Sequence, residues 1–393
     1  MNPPMAAAAV ADAPALQAPN TVSSIGMVST FPPTACGLAT FAAALATGLE
    51  RNGAHDIGIV SVGSPQQDSC DPRVMGALDP SSKSSRRCAA GLLADSDVVL
   101  LQHEYGIYGP EDGIAVLDLI SSIDAPVITT LHSVPAEPTR RQRSVLEAVV
   151  ADSDATVTMT WSARSRLVDG YSVDPAKLVS IPHGATIVDE PVTTRRGLVL
   201  TWGLLGPGKG IEWVIDALAA MDWVEPRPNY LVAGATHPNI LRRDGDVYRD
   251  MLRRRSHDRG VADQVTLDPA YRSLHDLVRL VASAEVVVLP YDSTDQVTSG
   301  VLVDAIAAGV PVVATAFPHA SELLSDGAGI VVPHRDPAAI AAAVGAILTR
   351  PHMRASMIAA GRPVAERHRW ERVAGDYLLL AERSRLADAD RAV

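Results

Sequence analysis

Two junctions constrain this chain most: Gly203-Leu204-Leu205-Gly206-Pro207-Gly208-Lys209-Gly210 and, about 90 residues later, Gln296-Val297-Thr298-Ser299-Gly300-Val301-Leu302-Val303-Asp304. Each sets small residues between a β-branched run (198–202 and 285–289) and a segment of helical periodicity. After Gly210, the residues Ile211, Val214, Ile215 and Leu218 recur at the spacing of a buried helical stripe. A strand running through a glycine-rich turn into a helix is the repeating joint of a parallel α/β sheet. Its strand ends offer free N–H groups and a helix N-terminus to an anion. The second junction adds an acid, Asp304, one turn into its helix, and the first adds a lone lysine, Lys209. Together they describe a pocket for a ligand carrying phosphate and hydroxyls, with a nucleoside diphosphate sugar as the obvious candidate.

The same joint recurs along the chain. Apolar runs at 24–29, 57–62, 98–102, 127–131, 155–160 and 178–181 alternate with helical stretches at 37–51, 84–93, 113–120, 141–150 and 162–169. The pattern restarts after a polar stretch, 184–196, with strands expected at 198–202, 230–233, 264–267, 285–289, 311–314 and 329–331. Helices are expected at 247–259, 274–282, 301–308, 337–348 and 370–386. Near-continuous Val/Ile/Leu strands separated by helices indicate parallel sheets covered on both faces. The expectation is an α/β protein of two doubly wound, Rossmann-like domains with a cleft between them. Its parts are a disordered tail (1–20), an N-terminal acceptor domain (21–190), a C-terminal nucleotide-sugar domain (191–365) and a closing helix (366–393) that packs back on the first domain.

Composition narrows the function. A length of 393 residues suits two domains, and a net charge of −11 argues against nucleic acid as a partner. Cys36, Cys70 and Cys88 lack metal-ligand spacing and cannot all pair, which points to a reducing, cytoplasmic setting. No run reaches the roughly 20 apolar residues of a membrane span, which leaves room only for peripheral membrane contact.

Lys209 could be a solvated lysine of a helix-entry loop; a fixed cation on a leaving diphosphate is the sharper reading. Gly206, Gly208 and Gly210 could only shape a turn, though three in five residues favour close approach of a ligand to the backbone. Ser299 fits an N-cap, which would leave the amides of Gly300 and Val301 facing the cleft, with Thr298 just before them. Asp304 lies in an otherwise apolar helix, where an unpaired carboxylate would be costly. His132 ends an apolar strand and so falls at a sheet's C-terminal edge; His103 and Glu104 have a similar but weaker placement. Gly37 fits a strand-to-helix turn, and Cys36 beside it reads as a small filler rather than a nucleophile. Arg140, Arg141 and Arg143 read as a solvated helix face, His237 as at most a border of the nucleotide, and His183 and Gly184 as hinge residues.

These motifs resemble the retaining glycosyltransferases of family 4, which adopt the GT-B fold, over roughly residues 25–383 and most strongly in the second half. The 203–210 segment resembles the family's Gly-Arg-Leu…Lys-Gly segment, and 296–304 with the following 305–315 resembles its Glu-x7-Glu segment and next strand. Cys36-Gly37-Leu38-Ala39-Thr40, His103, His132 and Ile181-Pro182-His183-Gly184 fall where the family has cleft residues. The resemblance implies Lys209 on the donor pyrophosphate, His132 against the reacting sugar or phosphate, and Asp304 on the donor ribose. It also implies Gly203, Gly208, Gln296, Thr298, Ser299, Gly300 and Val301 around the donor, with Gly37, His103 and Glu104 on the acceptor side of the cleft. Three positions depart from the pattern. Gln296 replaces the first glutamate, the shorter Asp304 replaces the second, and Leu204 replaces the arginine that accompanies the lysine.

The reading that follows is a metal-free hexosyltransferase, mannose or glucose being the favoured sugar. It would act with retention from a nucleoside diphosphate sugar onto a small-molecule, glycan or lipid-linked acceptor, with no cofactor. No Asp-x-Asp metal motif is present, so Lys209 and helix dipoles are expected to replace a divalent cation. A nucleotide-sugar epimerase or glycan phosphorylase on the same architecture is one rival; a non-catalytic sugar-nucleotide binder, suggested by Leu204 and Gln296, is another. A nicotinamide-dependent dehydrogenase is disfavoured, because no Gly-x-Gly-x-x-Gly follows the first strand.

Overall fold

The computed structural model describes residues 22–63, 69–187, 190–270 and 272–391. The tail expected at 1–20 and part of the 184–196 stretch lie outside the described residues.

The first half holds a seven-stranded sheet. Its strands are β1 (Ser24–Ser29), β2 (Asp56–Val62), β3 (Val74–Leu78), β4 (Val98–His103), β5 (Val127–Leu131), β6 (Ala155–Thr158) and β7 (Leu178–Ser180), in the order β3-β2-β1-β4-β5-β6-β7. The second half holds a six-stranded sheet of β8 (Leu198–Trp202), β9 (Asn229–Ala233), β10 (Val265–Asp268), β11 (Val286–Leu289), β12 (Val312–Thr315) and β13 (Gly329–Val332). Its order is β10-β9-β8-β11-β12-β13, and every described pairing in both sheets is parallel. The central strands β4, β5, β8 and β11 are buried along their whole length, as helices on both faces require.

In each sheet the strand order reverses once, between β1 and β4 in the first and between β8 and β11 in the second. At such a switch point the two flanking crossovers leave on opposite faces, opening a crevice beyond the strand C-termini. Both junctions singled out above sit there: 203–210 follows β8, and 296–304 follows β11.

The final helix, Trp370–Arg391, returns to the first half. Trp370, Val373, Ala374 and Tyr377 join Ile25, Met27, Leu45 and Leu49 in one core, and the Tyr377 hydroxyl lies 2.9 Å from Thr130 Oγ1 of β5. The chain therefore crosses between the halves twice, and the crossings are clamped together. Ala185 N–H donates to His368 O at 2.6 Å, and His368 Nδ1 lies 2.7 Å from His183 O. Gly184 is required here because a Cβ would come within 2.3 Å of the Trp370 ring.

Candidate active site

The loop after β8 is shaped by glycines in the left-handed or otherwise positive-φ region: Gly203 (φ 121°), Gly208 (φ 87°) and Gly210 (φ 66°). Gly210 precedes the helix Ile211–Leu218 so closely that a Cβ would reach Pro290 O at 1.8 Å. Asp292 N–H donates to Gly208 O at 2.9 Å, which ties this loop to the one after β11. Between the two loops lies a pocket lined by Pro207, Gly208, Lys209, Tyr291, Asp292, Ser293 and Gln296.

Lys209 carries the charge of this pocket. Its Nζ sits 4.5 Å from the centre of the Tyr291 ring, and among the described residues no carboxylate lies within ion-pair distance of it. Burial pulls its pKa below the usual lysine range, since a desolvated ammonium lacks compensation. Asp292, on the opposite wall, is already neutralised by Arg335 (Nε to Oδ1, 3.1 Å) and also accepts Trp213 Nε1–H at 2.9 Å. The one cation left to meet a ligand's anion among the described lining residues is therefore Lys209.

The helix Gly300–Ala307 begins at Ser299, whose Oγ accepts Leu302 N–H at 3.3 Å and whose N–H donates to His319 Nδ1 at 2.8 Å. With the Ser299 side chain committed to the cap and the residue buried, the amides of Gly300 and Val301 are the groups left at the helix N-terminus. Against them packs His183, so close that a Cβ on Gly300 would lie 2.7 Å from its ring. The Gln296 side chain folds onto its own loop, Nε2–H donating to Thr298 O at 3.0 Å, while Thr298 Oγ1 is buried without a partner. Asp304 lies one turn further on. Burial pushes its carboxyl up to about 7, opposed by a hydrogen bond from Thr186 N–H in the crossover between the halves. Its helix is otherwise apolar, yet the protein itself supplies one donor.

In the first half, His132 follows β5 and its Nε2 lies 2.8 Å from Gln102 Oε1. Phe41 packs edge-on against both His132 and His183, with ring centres at 4.9 and 5.0 Å, so the two histidines flank one aromatic ring. Burial drives His132 down to about 3 and His183 to about 4, which keeps both neutral at physiological pH. Glu104 accepts Ser133 Oγ–H at 2.5 Å and Tyr105 N–H at 3.0 Å, and burial raises its pKa. Gly37 opens the helix Gly37–Arg51, and a Cβ there would meet nothing within 4 Å, so the space before it is open. Cys36 caps that helix through its sulfur.

One expected cleft residue does not reach the cleft. His103 ends β4 but is 0% exposed, enclosed with Tyr105 and Tyr108, with both ring nitrogens lacking partners. Strand-end position could not distinguish it from His132, because the side chains of a strand alternate between faces while the chain turns away. Conversely, Tyr291, Asp292 and His319 are site residues that the sequence did not mark, and His183, read as a hinge residue in a segment that resembles a cleft segment, packs on the helix N-terminus at Gly300. Tyr291 and Asp292 follow β11 as His132 follows β5, a signal that was available. Nothing in sequence announces His183 against Gly300, which depends on the packing of the two halves.

Among the described residues no group of three or more His, Cys, Asp or Glu is placed to hold a metal, and no helix is long and apolar enough to cross a membrane.

Residues 187–364 match the family profile of the glycosyl transferases group 1. The chain is 30% identical over 272 residues to the D-inositol 3-phosphate glycosyltransferase of Acidothermus cellulolyticus, covering 63% of this chain and 59% of that one. It is 31% identical over 250 residues to the protein of the same name from Stackebrandtia nassauensis, covering 59% and 54%. The matched parts thus span less than two thirds of either relative. Among solved structures, sucrose-phosphate synthase from Thermosynechococcus elongatus aligns with a TM-score of 0.72 at 18% identity, covering 93% of this chain and 100% of that one. Anabaena HepE, solved with UDP and glucose, aligns with a TM-score of 0.71 at 13% identity, covering 91% and 99%. At such identities the likeness is one of fold, and that fold is GT-B.

Proposed function

From a chain whose residues 187–364 carry the group 1 glycosyltransferase domain on a GT-B frame, we propose that this protein transfers a hexosyl group from a nucleoside diphosphate sugar. The observation that carries the reading is Lys209, a half-buried cation with no carboxylate partner among the described residues, in the crevice at the second sheet's switch point. A diphosphate supplies the missing counter-charge, and the Gly300 and Val301 amides add donors for it. Gly203 and Gly208 let the backbone approach the ligand, and Asp304 takes the ribose hydroxyls.

The division of labour assigns the donor to residues 191–365 and the acceptor to 21–190, where the space before Gly37 is open. Glu104, a half-buried carboxyl that accepts Ser133 Oγ–H and Tyr105 N–H, is the acid proposed to receive an acceptor hydroxyl. The name of these relatives, D-inositol 3-phosphate glycosyltransferase, supports a phosphorylated polyol as one acceptor to try; Glu104 would repel its phosphate if that group lay on this side.

Transfer is proposed to proceed with retention. The bond from the anomeric carbon to the diphosphate oxygen breaks, and the acceptor oxygen bonds to that carbon on the same face. The acceptor's proton passes to the departing phosphate. Lys209 stabilises the leaving charge in place of a metal, so activity should survive excess chelator; loss restored by magnesium or manganese would contradict this. The setting proposed is cytoplasmic.

A non-catalytic sugar-nucleotide binder is the second reading, favoured by the Gln296 side chain being folded onto Thr298. A thermal-shift screen of UDP-, GDP- and ADP-sugars tests the first step common to both, because binding to the native state raises the midpoint. Release of free sugar or nucleotide from the stabilising donor then separates them. No shift with any donor would sink both.

A further inference from the structure

Gln102 is the penultimate residue of β4 and is fully buried, held through its own carbonyl by the Tyr108 hydroxyl at 2.8 Å. Its Oε1 lies 2.8 Å from His132 Nε2 at the neighbouring strand end. An amide oxygen only accepts, so the ring donates, and a neutral imidazole then carries its single proton on Nε2. Nδ1 is left as a lone pair, with no hydrogen bond to any described residue. Phe41 fixes the plane of the ring edge-on. The other titratable groups facing it are His103, beside Gln102, and His183 on the crossover, both held neutral by burial. Glu104 approaches only through Ser133.

Resting on the reading of the cleft as a sugar-transfer site, we propose that Gln102 is a positioning residue that fixes the tautomer of His132. The Nδ1 edge of the ring then accepts a hydrogen bond from a hydroxyl of the transferred sugar and does not donate one to a phosphate oxygen. A ring offering only a lone pair distinguishes the two groups by chemistry, since a sugar hydroxyl can donate and an ionised phosphate oxygen cannot. His132 thereby orients the sugar, and Lys209 is left to hold the diphosphate.

The test is ¹⁵N NMR of histidine-labelled full chain, with the His132→Phe spectrum assigning the His132 signals, alongside turnover and calorimetry with a free nucleoside diphosphate. Wild type is expected to show His132 as the neutral Nε2–H tautomer from about pH 6 to 8. Gln102→Leu should give a mixture of tautomers and roughly a tenfold loss of turnover at saturating donor, the scale of one hydrogen bond, with nucleotide affinity unchanged. Gln102→Glu keeps an accepting oxygen and should restore both tautomer and turnover at high pH. Its negative charge raises the imidazole pKa, so turnover should fall as pH is lowered, a limb that wild type lacks. A Nδ1–H tautomer in wild type, the result if the amide is turned the other way, overturns the proposal even where the variants fail to fold. Identical spectra and turnover for the Leu and Glu variants overturn it as well. Absence of nucleotide binding by wild type would instead sink the sugar-nucleotide reading and leave the tautomer result standing.

Discussion

Two residues of the second half carry opposite charges under opposite constraints. Lys209 is desolvated with an aromatic ring for company, an arrangement that costs the unliganded protein and is relieved by an anion. Lys209→Ala is therefore expected to leave the fold and melting temperature intact while lowering turnover by about 10²–10³, the effect of losing one preorganised charge contact. Near-normal turnover by a folded variant would remove Lys209 from the site. Asp304 has the reverse sign. Its carboxyl is raised from the ordinary 3.8 to about 7 by burial, so its stabilising contribution is fully present in acid. That contribution is lost as pH rises through about 7. Ribose hydroxyls donate to the ionised form, so nucleotide affinity should climb across the same window with release of a proton. Asp304→Asn should flatten that climb. Calorimetry at several pH values reads it directly, and an equal climb in the variant would mean that Asp304 serves only Thr186.

At the level of elements, the two junctions were legible because their chemistry is local. Glycines with positive φ, an N-cap serine and a stripe at helical spacing each act within a few residues of themselves. Every strand but β3 could be read for the same reason, as an apolar run, and the central ones are buried on both faces. What escaped was what context decides. β3 is an edge strand with alternate residues exposed, so no apolar run marks it. The helix Pro351–Arg367 contains Pro363, which in sequence reads as a break, and Pro318–Leu323 is too short to show a period. The fate of the histidines was likewise unreadable, because His103 and His132 differ only in which way the folded strand end turns them. The junction of helix and crossover offers its own test. A Cβ on Gly300 would press into the His183 ring at 2.7 Å, so Gly300→Ala should move the helix N-terminus and weaken nucleotide binding by roughly tenfold. Adding His183→Ala opens the space and should recover part of that loss. A double variant no better than the sum of its parts would mean that the two residues act independently.

Over the whole molecule, the two halves are not merely tethered by the crossings at 185 and 368. One side of the cleft is stitched across: Arg166 pairs with Asp295, Ala136 N–H donates to Asp295 Oδ1 at 3.1 Å, and Thr160 Oγ1–H donates to Val297 O at 2.9 Å. Val297 itself is buried in the first half's core beside Val134 and Leu167, although it belongs to the loop that follows β11. The loop that lines the Lys209 pocket thus reports the position of the other half. Glu322, from the second half, completes the seam by capping a first-half helix. Its carboxylate accepts Trp161 N–H and Ser162 N–H, both at 2.9 Å, and Ser162 Oγ–H at 2.5 Å. A carboxylate at a helix N-terminus satisfies orphan amides and complements the dipole, contributing about 1–2 kcal/mol in a partly buried place. Glu322→Ala should therefore speed hydrogen exchange over the helix Trp161–Gly170 and lower the melting temperature by a few degrees. Nucleotide affinity should hold, because Lys209 and the helix Gly300–Ala307 lie within the second half. Turnover should fall, because His132 must be brought against a sugar held opposite, and closing of the halves is what brings it there. If exchange over that helix accelerates while turnover is untouched, the seam holds the halves together but does not set the geometry in which the sugar is transferred.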